Sequence, residues 1–217
     1  MGKRFEKSLE EKQKFFDRHA QAWDEENRLE QDKLAELVGE LGLAPGDVVV
    51  EPGCGTGLVS SLILKIIGES GRLLAADVSR LMLEQAEKKH LFPNVSFQHA
   101  DAGRLPFPDA AADAVVCFRV FPHLDDKSGA LREFNRVLKS GGRLAIAHAS
   151  GRDSLNEYHA GVGGEVATDM LPDRTELIRL LALHGFELHS LTDRDDRYLA
   201  LAVKQRPLAG GGENTKP

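Results

Sequence analysis

Cysteine is nearly missing from this chain. Cys54 and Cys117 are the only two among 217 residues, which excludes a disulfide-stapled scaffold and fits a reducing compartment. No apolar run approaches the roughly 18 residues that a membrane-crossing helix requires. Basic residues are in deficit, 28 Lys and Arg against 34 Asp and Glu for a net charge of −6. A phosphate backbone is held by a basic surface, so a dedicated nucleic-acid binder is not expected. The opening residues, MGKRFEKSLEEKQKFF, are too charged for a secretory signal. What is present, 41% hydrophobic and 29% charged residues, suits one soluble domain with a sizeable core. These features predict a cytoplasmic protein with no nucleic-acid or membrane partner; they leave the oligomeric state open.

Phe5, Leu9, Lys12, Phe16, His19 and Trp23 recur at spacings of three and four, the mark of an amphipathic helix. Leu34, Leu37, Val38 and Leu41 predict a second, short helix, with Asp32 as N-cap and Gly42 near its end. Residues 1–46 are therefore expected to form a helical cap. From Asp47 the pattern changes to alternating strands and helices. Strands are predicted at 48–50, 72–76, 95–98, 113–117 and 143–148, and helices at about 57–67, after Ser79, and at 127–138. That alternation indicates an α/β fold with a parallel sheet. Residues 149–172, with Gly151, Gly161, Gly163 and Gly164, show no period and are expected to be a lid loop. Asp173 and Glu176 suggest a capping box, opening a helix that presents Leu177, Leu180, Leu181 and His184 on one face. Two strands at 186–191 and 198–204 then form a hairpin, and residues 207–217 are expected to be a disordered tail.

The segment VVVEPGCGTGLVSSL, residues 48–62, is the most informative. A buried strand ends at Glu51, and Gly53, Gly55 and Gly57 lead into a helix, which lets backbone approach a ligand at the carboxyl end of the sheet. A dinucleotide fingerprint needs GxGxxG, but here Leu58 holds the last glycine position. The Glu51 carboxylate suits a cationic amino group better than a pyrophosphate. Asp77, 20 residues beyond Gly57 at the end of the next strand, is placed to accept from ribose hydroxyls. Asp101, after the third strand, is placed to accept from an adenine amino group, with Ala102 as a backbone donor and Met82 and Leu83 packing on the base. Cys54 is a small packing residue of the loop.

The stretches EPGCGTG (51–57), ADVSRLML (76–83), ADAGRLPFPDAAADAVVC (100–117) and ALREFNRVLKSGGRLAI (130–146) resemble the class I S-adenosylmethionine-dependent methyltransferases. The resemblance spans about residues 30–204. It implies a Rossmann-like, doubly wound seven-stranded sheet of order 3-2-1-4-5-7-6 with strand 7 antiparallel. It implies S-adenosyl-L-methionine as cofactor, with Glu51, Gly53 and Gly55 at its methionine end, Asp77 on its ribose, and Asp101 and Ala102 on its adenine. Val78, Met82 and Phe118 would complete that lining. Within the family, LPFPDAAADAV and RVLKSGGRL resemble the branch of menaquinone and ubiquinone C-methyltransferases. FRVFPHLDD and HAS depart from that branch after strands four and five, which puts the quinone substrate in doubt.

Methyl transfer from a sulfonium mostly requires alignment and desolvation, with a base only where the acceptor must lose a proton. His123, after the fourth strand with Arg119, His148 at the end of the fifth, and His159 in the 149–172 segment are the candidate catalytic residues. Asp169 could join them. The same types ligate divalent metals, but no short spacing such as HxxxH is present and no metal is assigned. His90 and His184 are expected near helix C-termini, and Phe16, His19 and Trp23 are candidates for a lid. No appended domain, no strongly basic segment and no N/D-P-P-Y/F motif is present, which favours a small-molecule acceptor. Two alternatives stay open: a protein that keeps the cofactor fold without turnover, and a nicotinamide-dependent oxidoreductase, which the glycine spacing disfavours.

Overall fold

The computed structural model describes residues 2–26, 31–89 and 93–206. The side chain of Phe5, His90 and the tail 207–217 lie outside the described residues. Two helices, α1 (Gly2–His19) and the short α2 (Trp23–Glu26), precede α3 (Gln31–Gly39). Then come β1 (Val48–Pro52), α4 (Leu58–Ile67), β2 (Arg72–Asp77), α5 (Arg80–Lys88), β3 (Val95–His99) and β4 (Ala112–Phe118). The chain continues through α6 (Lys127–Val137), β5 (Leu138–His148), α7 (Arg152–Val162), α8 (Arg174–Leu183), β6 (Phe186–Arg194) and β7 (Arg197–Lys204). Single 3-10 turns occupy Phe121–His123 and Gly164–Val166.

The strands form one seven-stranded sheet in the order β3-β2-β1-β4-β5-β7-β6, as expected. The pairs of β1 with β2 and β4, β2 with β3 and β4 with β5 are parallel, and β7 is antiparallel to both neighbours. The strand order reverses direction between β1 and β4, so a crevice opens beyond their carboxyl ends.

Continuous apolar runs in the central strands follow from burial on both faces. Val49, Ala114 and Val116 point into one core with Leu34, Leu37, Val38 and Ile63. Val50, Val115 and Cys117 point into the other, with Leu131, Phe134, Leu177 and Leu181. Helix α3 thus belongs to the core, and the helical cap reduces to α1 and α2.

Other expectations need correcting. Residues 149–172 are not a loop: α7 and a 3-10 turn occupy most of them. His159 is the only α7 residue that is buried, so the helix covers a cavity and carries no apolar stripe to read. Asp32 lies inside the first turn of α3, not at its cap. Asp173 does cap α8, accepting from the Glu176 N–H, but Glu176 reaches forward to Arg179 and not back. Ser79 caps α5 through the Met82 N–H, as expected. Leu83 packs into the core with Val59 and Leu73, away from the crevice.

Candidate active site

The glycine loop is built by its backbone. Gly53, Gly55 and Gly57 all have positive φ, a region that side chains disfavour. The Gly53 and Cys54 N–H groups both donate to the Ala76 carbonyl, at 2.7 and 3.0 Å, which ties the loop to β2. A Cβ on Gly53 would lie 2.2 Å from Val120 Cγ2, whereas a Cβ on Gly55 would meet nothing within 4 Å. Gly53 lets two loops close up; Gly55 keeps space open.

That space is a cleft lined by Glu51, Gly53, Gly55, Asp77, Val78, Met82, Asp101, Ala102 and Phe118, all expected to bind the cofactor; of the expected residues Leu83 is absent from it. Asp77 accepts from the Gly55 N–H and the Ser79 N–H, each at 2.8 Å and each on a different oxygen. A second lone pair on each oxygen is left for a ligand hydroxyl. Burial pushes its pKa up to about 6, against the two backbone hydrogen bonds. Glu51 is buried and accepts from the Ser60 hydroxyl at 2.6 Å. Burial, reinforced by Asp77, pushes its pKa up to about 8 despite that bond. A buried carboxyl of this kind is stabilised by a cation brought to it. Cys54 is buried, and burial with the two nearby carboxylates holds its thiol protonated, which suits packing and not nucleophilic attack.

A second cavity of about 550 Å³ adjoins the cleft. His148 from β5 and Ser154, Tyr158 and His159 from α7 line it, with Phe15 and His19 of α1. Phe16, Trp23, Arg119 and His123 line both spaces. Arg119 has φ +58, a strained conformation for a side-chain-bearing residue, at the end of β4.

The three candidate histidines and Asp169 do come together. His123 Nδ1 lies 2.6 Å from Asp169 Oδ2, and His159 Nδ1 lies 2.6 Å from the Asp169 backbone oxygen. Carboxylate and carbonyl oxygens only accept, so both Nδ1 atoms carry a proton, and the neutral His123 ring keeps its lone pair on Nε2. Burial would raise the Asp169 pKa, but hydrogen bonds from His123 and Lys12 hold it below the usual carboxylate range. Burial pushes the His123 pKa down, outweighing Asp169, so the ring is neutral at neutral pH. His148 is held neutral still more firmly, by burial and then by His123 and Arg119. Its Nε2 is buried without a hydrogen-bond partner, as is the hydroxyl of Tyr198, its neighbour across the strand pair. Among the described residues no group of three or more His, Cys, Asp or Glu converges to hold a metal ion. His184 ends α8, and His99 bonds the Val78 carbonyl beside the cleft.

Helix α1, whose Phe16 and His19 were lid candidates with Trp23, lies over both spaces, held by Asp17 on Ser79 at 2.5 Å. Just after it, Asp24 holds Thr56 at 2.5 Å and Lys89 at 2.6 Å. One feature escaped the sequence reading: Lys12, 5% exposed, whose Nζ lies 2.8 Å from Asp169 Oδ1. One signal was available: Lys12 is a charge on the apolar stripe of its helix. No helix among the described residues is long and apolar enough to cross a membrane.

Residues 50–146 match a family model described as a methyltransferase domain. The ubiquinone/menaquinone biosynthesis C-methyltransferase UbiE of Vibrio campbellii is 31% identical over 191 residues, covering 81% of this chain and 68% of that protein. The enzyme of the same name from Teredinibacter turnerae is 35% identical over 113 residues, covering 50% of this chain but only 45% of that protein. Among solved structures, the putative methyltransferase in complex with the Haloferax volcanii Trm112 methyltransferase activator shares the fold, with TM-score 0.73 and 19% identity over 88% of this chain and 98% of that one.

Proposed function

The chain belongs to the class I S-adenosylmethionine-dependent methyltransferases, and on that premise we propose that it methylates a small organic acceptor held between α1, α7 and the carboxyl end of the sheet. One observation carries this reading: Phe16, Trp23, Arg119 and His123 wall both the cofactor cleft and the 550 Å³ cavity, so two ligands bound there would meet at these residues.

The cleft suits the cofactor. Glu51, buried and short of a cation, would hold the amino group of its methionine end. Asp77 would take the ribose hydroxyls on its remaining lone pairs, and Val78, Met82, Asp101, Ala102 and Phe118 would enclose the base. Bound there, S-adenosyl-L-methionine supplies an electrophilic methyl group with a good leaving group.

The residues of the chain then have limited tasks. The aromatic walls exclude water and align the acceptor. His123 presents a basic Nε2 to an acceptor that must lose a proton, and Asp169 orients the ring and stabilises the imidazolium that forms. His148, with Nε2 buried and unpartnered, offers the acceptor a neutral hydrogen-bonding anchor. The volume of the second cavity, about 550 Å³, suits a small acceptor.

Calorimetry with S-adenosyl-L-methionine and with NADH tests the cofactor. Binding of the first alone is expected, and binding of NADH alone would overturn the reading. Metabolite fractions incubated with methyl-labelled cofactor then identify the acceptor, with Asp77→Ala expected to weaken cofactor binding at least tenfold, on the order of the loss of a charge-assisted hydrogen bond.

A further inference from the structure

Helix α1 places a buried ammonium against the histidine pair. Lys12 Nζ donates to Asp169 Oδ1 at 2.8 Å, to Asp125 Oδ1 at 2.8 Å and to the His123 carbonyl at 2.5 Å. It therefore contacts both members of the pair at once, from 157 residues away from Asp169. A buried ammonium is costly unless paired. An apolar residue would pack at the same stripe position without that cost, so packing does not account for a lysine there.

The geometry accounts for it. With Oδ1 of Asp169 held by Lys12, Oδ2 is left to His123 Nδ1 at 2.6 Å. The two donors divide the carboxylate, which fixes its plane and keeps it ionised. On the other side, His159 holds the Asp169 backbone oxygen. Phe16, one turn further along α1, meets the His123 ring edge-on with centroids 5.4 Å apart. The contacts of Asp17 and Asp24 hold this same segment over the cofactor cleft.

We propose that Lys12 is a positioning residue for the His123–Asp169 pair, so that docking of α1 over the cleft is the event that assembles the base. The inference rests on the reading of His123 as the base, but its test needs neither acceptor nor turnover. If His123 is not the base, an H123Q variant keeps its methyl transfer while the result below still stands.

The charged and titratable groups facing the pair are Lys12 from α1, Asp125 and Lys127 at the start of α6, His159 from α7, and His148 and Arg119 from the sheet. The titration midpoint of His123, followed by NMR of its ring in the full chain, reads their sum. Lys12→Met removes the charge that disfavours the imidazolium and leaves Asp169 wholly to His123. The midpoint should rise by about one pH unit, a tenfold gain in proton affinity. Lys12→Arg should return most of that rise. In an Asp169→Asn background, Lys12→Met should move the midpoint by less than a third as much, because its main route is gone. Emission of Trp23, the single tryptophan, reports whether α1 and α2 stay docked. An equal rise in both backgrounds would mean that Lys12 acts on the ring by its charge alone, or that α1 had come away, and not through Asp169; it would overturn the proposal, as would no rise at all. If Asp169→Asn does not fold, Lys12→Arg decides: titration like Lys12→Met overturns it, and return toward the wild-type midpoint supports it.

Discussion

Asp169 Oδ2 lies 2.6 Å from Nδ1 of His123, 46 residues earlier in the chain. The contact joins the loop before α8 to the 3-10 turn after β4, and it assigns the tautomer: Nδ1 holds the proton and Nε2 the lone pair. Both groups are extensively buried, so neither exchanges this partner freely with water.

If His123 is the base, His123→Gln should lower methyl transfer by about 10²–10⁴-fold. Asp169→Asn should lower it less, since a misoriented imidazole remains a base. Cofactor affinity by calorimetry should change far less than the rate in both, since neither residue is among those expected to bind the cofactor. Because burial holds the His123 pKa below its ordinary value, the rate should already be on its plateau at neutral pH and fall only under acid conditions. A rate that first rises well above pH 7 would sink the assignment.

Glu51, with its pKa pushed up to about 8, should leave a mark on stability. Below the ordinary glutamate range both folded and unfolded states hold the proton. Between that range and about 8, the folded state holds a proton that the unfolded state has lost, so stability falls as pH rises. The slope reaches about 1.4 kcal/mol per pH unit. Glu51→Gln should remove this slope from a series of denaturant titrations. If a cationic amino group docks on Glu51, cofactor binding near pH 7 should also release up to about one proton, seen as buffer-dependent heat in calorimetry and absent in Glu51→Gln.

Gly53→Ala and Gly55→Ala separate backbone strain from steric conflict. Both positions have positive φ, which costs alanine about 1–2 kcal/mol. Only at Gly53 does the new methyl strike Val120, at 2.2 Å. Thermal unfolding should therefore rank Gly53→Ala clearly below Gly55→Ala. Equal losses would mean that Val120 yields at no cost.

His148→Phe should make the free protein more stable. A buried nitrogen without a partner costs about 1–3 kcal/mol, and His148 Nε2 is such a nitrogen. A rise in Tm together with weaker acceptor binding would mark His148 as a site where stability is sacrificed for recognition. A loss of stability would show that the ring has a structural partner.

The glycine-loop side of the site was legible because it is local. Glu51, the glycines and Asp77 follow one strand, one loop and the next strand, and the strand–helix alternation dictates that their carboxyl ends share an edge. The histidine side was legible only as residue types. His123, His148, His159 and Asp169 were candidates, but no spacing showed that Asp169 would face His123 or that His159 would hold its carbonyl. Helix α7 was missed because periodicity records burial against a core, and this helix buries only His159. Lys12 was visible as a charge out of place, without any sign of its partners.

The sequence by itself therefore determined the strand–helix alternation, the glycine loop and the carboxylates around it, since strand burial, turn chemistry and short connections are properties of neighbouring residues; the order of the sheet came from the family resemblance. The tertiary structure alone decided what gathers around His123 and the second cavity. Lys12, His123, His148, His159 and Asp169 come from separate elements, and their contacts arise only when α1 and α7 fold back over the sheet, at sequence separations too long for any local pattern to record.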